Sequence, residues 1–220
     1  MHYVISAPRP NSRYLEIELT LEQVNDDHLE LYLPSWRPGR YETANFAKNI
    51  QRIHAFDTSG SSLLITKLSK DKWKVDCNDA ETVIIKYNYY AAQPDAGACW
   101  IDSELIYINP VHCCIYAADR IHQPCKLQLN IPDNWEIASG LLKKKGNVLQ
   151  ATDYHQLVDS PLFASPVLHH NIYTAGDVNF HIWFAGNCRP EWEKIIPHFK
   201  SFSEVQIKMM EGFPVREYHF

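Results

Sequence analysis

The spacing of hydrophobic positions divides this chain into a long strand-like part and a short helical part. From Tyr14 to about Phe184, apolar and polar residues mostly alternate, as they do in strands that bury one face. The strongest strand predictions are 14–19, 28–33, 83–90, 126–131 and 179–184. Because turn residues recur about every ten residues, the pattern predicts a mainly β fold, either a β-sandwich or an open antiparallel sheet.

Short polar runs between these segments predict how the strands connect. Residues 25–27, Asn-Asp-Asp, separate the first two strand segments, so we expect 14–19 and 28–33 to pair as a hairpin with one solvated face. Residues 57–60 separate two further strands. The lysine run at 143–145 precedes Gly-Asn, and we interpret it as the tip of a hairpin in preference to a phosphate-binding patch.

The pattern becomes helical after residue 189. Pro190 suits a first helical residue, and Glu191 and Glu193 follow in the first turn, where the helix dipole favours acids. Apolar residues then recur at helical spacing up to Met209. We predict a helix over 190–211, with a kink or a restart at Pro197, which cannot donate a hydrogen bond within the helix.

This change of pattern suggests two units. Residues 1–184 would form an N-terminal antiparallel β-domain, and residues 185–220 would form the start of a second domain. A single helix with a wide apolar stripe needs a partner surface, and we interpret this segment as the truncated opening of another domain.

Charge and hydropathy exclude several classes of function. The net charge is −5, so the basic footprint of a nucleic-acid-binding protein is missing. No apolar run approaches the roughly 20 residues of a membrane span. The N-terminus lacks the basic and apolar regions of a signal peptide.

The six cysteines are dispersed and include no CxxC pair. We therefore expect buried free thiols, which fit a reducing compartment and favour the cytoplasm. Removal of a signal peptide from a longer precursor stays open.

No catalytic motif is present in the sequence. HExxH, GxSxG, GxGxxG and P-loop patterns are all missing. His181 could share a sheet face with His169 or His170, but a histidine pair without an acid favours a core-edge role over metal binding. Cys113 follows His112, and neighbours on a strand diverge too far to form a nucleophile–base pair. The residues alone thus predict no catalytic group and no metal site.

Two loops have unusual sequences. In residues 33–41, Pro38-Gly39 is typical of a type II turn, and Trp36 and Tyr41 flank it. We favour a rigid corner plugged by these aromatic residues over a ligand platform. The second loop, 93–100, consists mostly of small residues and ends in Trp100, and loops of this kind contact ligands or neighbouring domains.

These loops also carry a resemblance to a known family. Residues 33–41, LPSWRPGRY, resemble the L-P-x-W-x-P-G-x-Y signature of the glycyl-aminopeptidase-like zinc metallopeptidases, which contain a C-terminal PDZ domain. Residues 154–161, YHQLVDSP, are similar to the family's Y-x-x-L-V-D-S-P segment. Further matches follow in chain order: W-x-V at 73–75, the tyrosine-rich strand at 83–90, P-x-x-W at 132–135, and a segment resembling G-x-x-P-F-x-x-Y-x-F at 212–220.

The resemblance implies a saddle-like N-terminal β-domain that precedes a thermolysin-like catalytic domain with a zinc site. The zinc ligands belong to HExxH and a downstream Glu, so zinc is implied for the full-length protein and not for this chain. The family-motif residues with an implied structural role are Trp36, Pro38, Gly39, Tyr41, Asp159, Ser160 and Pro161. Two positions depart from the pattern: Val215 replaces a preferred Phe, and Phe163 replaces an acid found in many members.

The first functional hypothesis is therefore a non-catalytic domain that packs on the catalytic domain of the same polypeptide and helps to form a cleft for a peptide substrate. In related aminopeptidases a loop of the N-terminal domain helps to bind the substrate amine. By analogy, 97–109 would supply Trp100, Asp102 and Glu104. The alternatives are a free-standing carbohydrate- or protein-binding β-sandwich that uses exposed aromatic residues, and a complete but inactive scaffold. Relatives can be exported, which leaves the compartment open.

Overall fold

A computed structural model describes residues 1–40, 42–95 and 97–220. The fold is mainly β with several antiparallel sheets and one long C-terminal helix, which confirms the predicted class. The strands are β1 His2–Ser6, β2 Tyr14–Glu22, β3 His28–Tyr32, β4 Ile50–Phe56, β5 Ser62–Leu63, β6 Ile65–Lys67, β7 Lys72–Asp76, β8 Thr82–Tyr90, β9 Trp100–Ile101, β10 Ile106–Ile108, β11 Tyr116–Ala117, β12 Cys125–Asn130, β13 Glu136–Ser139, β14 Leu142–Lys143, β15 Val148–Ala151, β16 Leu162–Ser165, β17 Leu168–Ala175, β18 Val178–Ala185 and β19 Glu217–His219. The α-helices are α1 Pro110–Cys113, α2 Tyr154–Val158 and α3 Trp192–Met209.

The strands form sheets of very different size. The largest has the order β14-β15-β12-β1-β2-β8-β4-β5, and two four-stranded sheets have the orders β13-β16-β10-β9 and β11-β3-β7-β6. A three-stranded sheet, β17-β18-β19, follows at the C-terminus. Neighbouring strands are antiparallel except for β1 with β12 and β18 with β19, which are parallel.

The expected hairpin between the first two strand segments is wrong. Strand β2 pairs with β1 and β8, whereas β3 pairs with β7 and β11 in another sheet. The connection is held away from a hairpin because Val24 donates its amide to the carbonyl of Glu81 (2.9 Å) and the amide of Cys77 donates to Asp27 (2.8 Å). Alternation gave the buried face of each strand correctly, but it carries no information about the partner strand.

The hairpin predicted at the lysine run is confirmed, and the turn predicted between two strands at 57–60 also closes a hairpin. Strands β4 and β5 pair across the turn at 57–61, where the Asp57 carboxylate accepts the amides of Ser59 (2.8 Å) and Ser61 (2.9 Å). Strands β14 and β15 pair across the lysine-containing tip. These turns follow local side-chain chemistry, which is why the sequence reveals them.

The first hydrophobic core is shared by the large sheet and both four-stranded sheets. Three buried tyrosine hydroxyls cross it and donate to consecutive carbonyls of one segment. Tyr87 donates to Cys113 (2.6 Å), Tyr154 to Cys114 (2.8 Å) and Tyr3 to Ile115 (2.8 Å). Burial raises the pKa of all three phenols, so they remain neutral donors, and the segment that follows α1 is fixed in place.

A second, smaller core lies between α3 and the three-stranded sheet. Its buried residues come from β17 and β18, and α3 packs on them through Trp192, Ile195, Ile196, Phe199 and Ile207. The expected boundary between residues 184 and 185 thus lies at the end of β18. Strands β17 and β18, which precede this boundary, share their core with α3, which follows it. The first core extends to Ala164, and the second begins at Tyr173.

Helix α3 occupies the interior of the predicted range 190–211. It continues through Pro197 without a restart. Pro197 is exposed, so its ring points away from the second core, but the carbonyl of Glu193 still lacks its helical donor.

Candidate functional site

The structure brings the two unusual loops into contact. The guanidinium of Arg37, in the first loop, lies against Gly97, in the second, and a Cβ at residue 97 would overlap Nη2 of Arg37. The lack of a side chain at Gly97 therefore permits the approach of the two loops. Sequence reasoning identified both loops but not this contact, because the contact depends on tertiary packing.

The first loop contains the predicted turn. The amide of Arg40 donates to the carbonyl of Arg37 (3.3 Å), and Gly39 has a φ of +83°, which fits a type II turn with glycine at its third position. Trp36 is 55% exposed, so it does not plug this corner as we expected. Tyr41, the other flanking aromatic residue, lies outside the described residues.

The predicted cleft residues Trp100 and Asp102 lie together on the β9–β10 hairpin, and both are engaged within the protein. The Asp102 carboxylate accepts Nε1–H of Trp100 (2.8 Å) and the amides of Glu104 (2.9 Å) and Leu105 (2.8 Å). Arg13, which sequence reasoning missed, lies 3.9 Å from the Trp100 ring centroid and 3.8 Å from Asp102.

These contacts determine the charge of the hairpin. Burial alone would raise the pKa of Asp102, but the N–H donors from Glu104, Trp100 and Leu105, with the charge of Arg13, hold this pKa below its usual value. Asp102 is therefore ionised, and its carboxylate holds the hairpin turn by accepting hydrogen bonds from two of its amides and from Trp100.

Glu104 has a different environment from its two neighbours. Its side chain is exposed, while its backbone carbonyl accepts the hydroxyl of the buried Ser165 (2.8 Å). The hydrogen bond from Ser165 thus holds the backbone of Glu104 in place, and the Glu104 carboxylate faces solvent. Of the three predicted cleft residues, Glu104 has the carboxylate that can reach an external group.

A cavity of about 280 Å³ lies beside the contact between the loops. It is lined by the 42–49 segment, the end of β8, the 97–99 segment and His112 of α1. His112 and Cys113 form part of this short helix, so the expectation that they lie on a strand is wrong. Pro110 at the first helical position and Asn109 before it explain the change, because that pair favours a helix start.

The family-motif residues at 159–161 end α2 and lead into β16. The amide of Asp159 donates to His155 (3.1 Å), and the carbonyl of Pro161 accepts the hydroxyl of Ser139 (3.4 Å). Ser160 donates its amide to Leu157 (3.3 Å), which completes the helix end. These contacts end α2 and position the start of β16.

The departure at Phe163 has a packing partner. Its ring stacks on Tyr107 with centroids 4.7 Å apart, across the pairing of β10 with β16. An acid at this position would lose the stack. The aromatic pair fixes the strand that precedes α1.

His170 and His181 do share a sheet face, with a hydrogen bond of 2.9 Å between Nε2 and Nδ1. His181 also contacts Glu217 (2.7 Å), and its ring stacks on His219. The rings stack face to face, and among the described residues no set of three or more His, Cys, Asp or Glu side chains converges on a metal position. The residues present do not fit a zinc site, so no zinc chemistry is assigned to them.

The predicted buried thiols are confirmed for five of the six cysteines, and Cys188 is exposed. Burial raises the pKa of Cys99, which keeps its thiol protonated. In the part of the chain that the structure describes, no helix is both long and apolar enough to span a bilayer.

Comparison with known proteins gives one family. The sequence profile of the Peptidase M61 N-terminal domain matches residues 2–166, which end at the same place as the first hydrophobic core. A search of curated proteins gave no match.

Solved structures agree with this result. An aminopeptidase N family protein from Idiomarina loihiensis is similar over the whole chain, with a TM-score of 0.90 and 26% identity. An M1 zinc metallopeptidase from Deinococcus radiodurans (TM-score 0.52, 14% identity) and Legionella pneumophila aminopeptidase A in complex with aspartic acid (TM-score 0.51, 9% identity) share the fold over the whole chain. The chain spans 38%, 55% and 28% of these three proteins, respectively. The match over residues 2–166 shows that this chain belongs to the Peptidase M61 N-terminal domain family.

Proposed function

We propose that this chain is the non-catalytic N-terminal domain of a zinc aminopeptidase-like metallopeptidase. It would pack on a catalytic domain of the same polypeptide and form one wall of a cleft for a peptide substrate. The observation that carries the proposal is the family match over residues 2–166. Zinc would be held by the catalytic domain, because the described residues of this chain offer no converging ligand set.

Exposed apolar residues near the second core support the presence of a partner for α3 and the C-terminal segment. Helix α3 buries one side against β17 and β18 but leaves apolar side chains in water on its other side and at the C-terminus. The exposed apolar residues are Phe202, Val205, Met209, Met210, Val215, Tyr218 and Phe220. Among them, Phe202 and Tyr218 both contact Phe220. Exposed apolar patches mark interaction sites, and a following domain of the same polypeptide would cover this one.

The β9–β10 hairpin supports the cleft role. Asp102, Trp100 and Arg13 hold the turn, and Glu104 is left with a solvent-facing carboxylate on an anchored backbone. A carboxylate fixed in this way suits a charge-assisted hydrogen bond to the ammonium of a peptide. We therefore assign Glu104 as the candidate contact and Trp100 and Asp102 as positioning residues.

The test uses the longer gene product in an assay with alanyl and glycyl amides. Glu104→Gln is expected to raise KM about tenfold with a small change in kcat, since it removes one charge-assisted contact worth about 1.5 kcal/mol. Glu81→Gln, an exposed acid remote from the hairpin, serves as the matched control. Trp100→Ala is expected to lower kcat/KM by loosening the turn. Wild-type kinetics in both hairpin variants would contradict the cleft role.

The rival hypothesis is a carbohydrate- or protein-binding β-sandwich. One feature favours it, namely the exposure of Trp36. The other tryptophans, all within the described residues, are buried or half-buried, so no second exposed tryptophan extends a stacking platform from Trp36. Binding of an oligosaccharide that Trp36→Ala abolishes would favour the rival.

We also propose a reducing compartment, most simply the cytoplasm. Five free thiols lie buried in the protein. Thiols persist in this state where disulfides are kept reduced. Recovery of the protein from an oxidising compartment, measured by fractionation, would contradict this location.

A further inference from the structure

The three-stranded sheet has a row of histidines on the face opposite α3, one from each strand: His170 of β17, His181 of β18 and His219 of β19. Nε2 of His170 lies 2.9 Å from Nδ1 of His181, and Nε2 of His181 lies 2.7 Å from a carboxylate oxygen of Glu217. The His219 ring stacks on His181 with centroids 4.3 Å apart. Side chains of this histidine row therefore join β19 to β18, in addition to the parallel backbone pairing.

The two hydrogen bonds of His181 determine where its protons lie. Hydrogen bonds from Asn179 and His181 hold the pKa of Glu217 below its usual value, so this carboxylate is ionised and can only accept. Nε2 of His181 therefore carries a proton, and its Nδ1 accepts Nε2–H of His170. His181 can also take a proton on Nδ1 without losing either bond, because His170 can move its own proton to Nδ1 and accept at Nε2.

His219 cannot adapt in the same way. Its Nδ1 accepts the indole Nε1–H of Trp183 (3.1 Å), and an indole nitrogen can only donate. The other ring nitrogen of neutral His219, Nε2, already carries a proton. A proton added to Nδ1 would therefore place two donors against each other and break a side-chain contact between β19 and β18.

The surroundings of His219 also disfavour a charged ring. A Cβ at Gly140 would lie 3.5 Å from Cδ2 of His219, so a segment of the first unit covers the ring without bringing a charge. Burial, followed by the charge of His181, lowers the pKa of His219 to about 4. The titratable groups that face the histidine row from outside it are Glu217 of β19, which acts on His219, and Glu136 of β13, which acts on His170.

We propose that the histidine row is an acid-sensitive latch, in which protonation of His219 releases β19 from β18 while the rest of the fold stays intact. The proton comes from solvent and occupies Nδ1 of His219, and the indole of Trp183 loses its acceptor. The released segment carries Tyr218 and Phe220, so acid would expose more of these aromatic rings than the 41% and 38% exposed in the attached form. This inference does not depend on the proposed role of the domain in a peptidase.

The direction of the pH effect follows from proton binding. In the released segment His219 has an ordinary pKa near 6.5, whereas in the attached segment it is about 4. The released form therefore binds the proton more readily, and acid shifts the equilibrium towards it. With these two values, the ratio of released to attached forms rises about twentyfold between pH 7 and pH 5.

Backbone amides of β18 report the release directly. The amides of Asn179 (2.9 Å) and Trp183 (3.1 Å) donate to the carbonyls just outside the two ends of β19. The amide of Gly186 donates to Val167 (3.0 Å), on the opposite side of β18, and does not depend on β19. Amide hydrogen exchange of the 220-residue chain is measured by NMR at pH 7 and pH 5, and each rate is divided by the intrinsic rate at that pH.

The protection of the Asn179 and Trp183 amides is expected to fall about twentyfold on acidification, and that of Gly186 clearly less. Unchanged protection of Asn179 and Trp183 would overturn the proposal. An equal loss at all three amides would overturn it as well, because acid would then loosen the whole unit and not β19.

Two variants test the assigned contact. His219→Gln keeps an oxygen that can accept from Trp183 but cannot titrate, so the extra loss of protection at Asn179 should fall below twofold. His198→Gln, on an exposed residue of α3, is the matched control and should respond as the wild type does. A full response in His219→Gln would overturn the proposal. If this variant fails to fold, Trp183→Phe replaces it: His219 then takes its proton without losing a bond, so the response at Asn179 should shrink, and a wild-type response would overturn the latch.

Discussion

At the scale of single residues, the side chains near the β9–β10 hairpin have two separate tasks. Asp102 and Arg13 satisfy the hairpin and fix the Trp100 ring. Glu104 and His112 have polar groups that the described protein leaves without an internal partner or open to solvent. Sequence reasoning found Trp100, Asp102 and Glu104 because they lie in one loop, but it missed Arg13 and Arg37, which reach the site from distant positions through packing.

Histidine titration gives the residue-scale prediction. Burial, followed by the charge of Arg37, lowers the pKa of His112 to about 4, and burial, followed by His181, lowers that of His219 to about 4. The unfolded chain, with histidine near 6.5, therefore binds more protons than the folded chain between pH 6.5 and 4. The free energy of unfolding should fall as the pH falls through this range, by on the order of 1 kcal/mol at pH 5 after screening.

Urea unfolding at pH 7 and pH 5 measures this effect. The variant His219→Phe keeps a ring next to His181 and should show a smaller loss of stability on acidification. His198→Gln, which changes an exposed histidine of α3, is the matched control and should behave as the wild type. An equal loss in His219→Phe and the wild type would refute the assignment to His219.

At the scale of elements, local chemistry and tertiary pairing differ in how far the sequence reveals them. The turns at Asp57 and Gly39 follow from their own residues, and alternation places β8 and β12 correctly. The pairing of β2 with β1 and β8, in place of β3, depends on contacts between distant segments, which periodicity does not encode. The sequence could therefore predict the strands and one helix, but not the sheet order or the contact between the two loops.

The turn at Gly39 offers a prediction about the backbone alone. A Cβ at this position meets no described atom within 4 Å, so the φ of +83° is the only cost of a side chain. Gly39→Ala is expected to lower the free energy of unfolding by about 1 kcal/mol. Gly39→Asn should cost less, because asparagine tolerates a positive φ. Thermal unfolding of the two variants checks this, and equal losses would exclude backbone strain as the cause.

The proline in α3 offers a prediction of the opposite sign. Pro197 is exposed and removes one helical hydrogen bond, so Pro197→Ala should raise the free energy of unfolding by about 1–3 kcal/mol. Pro190→Ala, which precedes the helix, should give little change and serves as the control. Calorimetry of both variants decides the matter. An unchanged or lower melting temperature in Pro197→Ala would show that the helix has adapted to proline.

At the scale of the whole molecule, the two hydrophobic cores differ in how much apolar surface beside them stays exposed, and this difference supports the proposed function. The first core contains three tyrosines that donate hydrogen bonds across it, and it lies within the region matched by the family profile. The second core leaves the outer side of α3 and the C-terminal aromatic residues exposed. A β-domain joined to a unit with unburied apolar surface fits the N-terminal region of a larger enzyme, and the relatives of known structure are longer than this chain.

The most direct test of the central claim is the nucleotide sequence of the transcript that follows the codon for Phe220. The account predicts an open frame that encodes HExxH with a downstream Glu, together with aminopeptidase activity and stoichiometric zinc in the longer product. A stop codon directly after Phe220, in a transcript confirmed to be intact, would contradict the claim that this chain is the N-terminal domain of a zinc aminopeptidase-like protein.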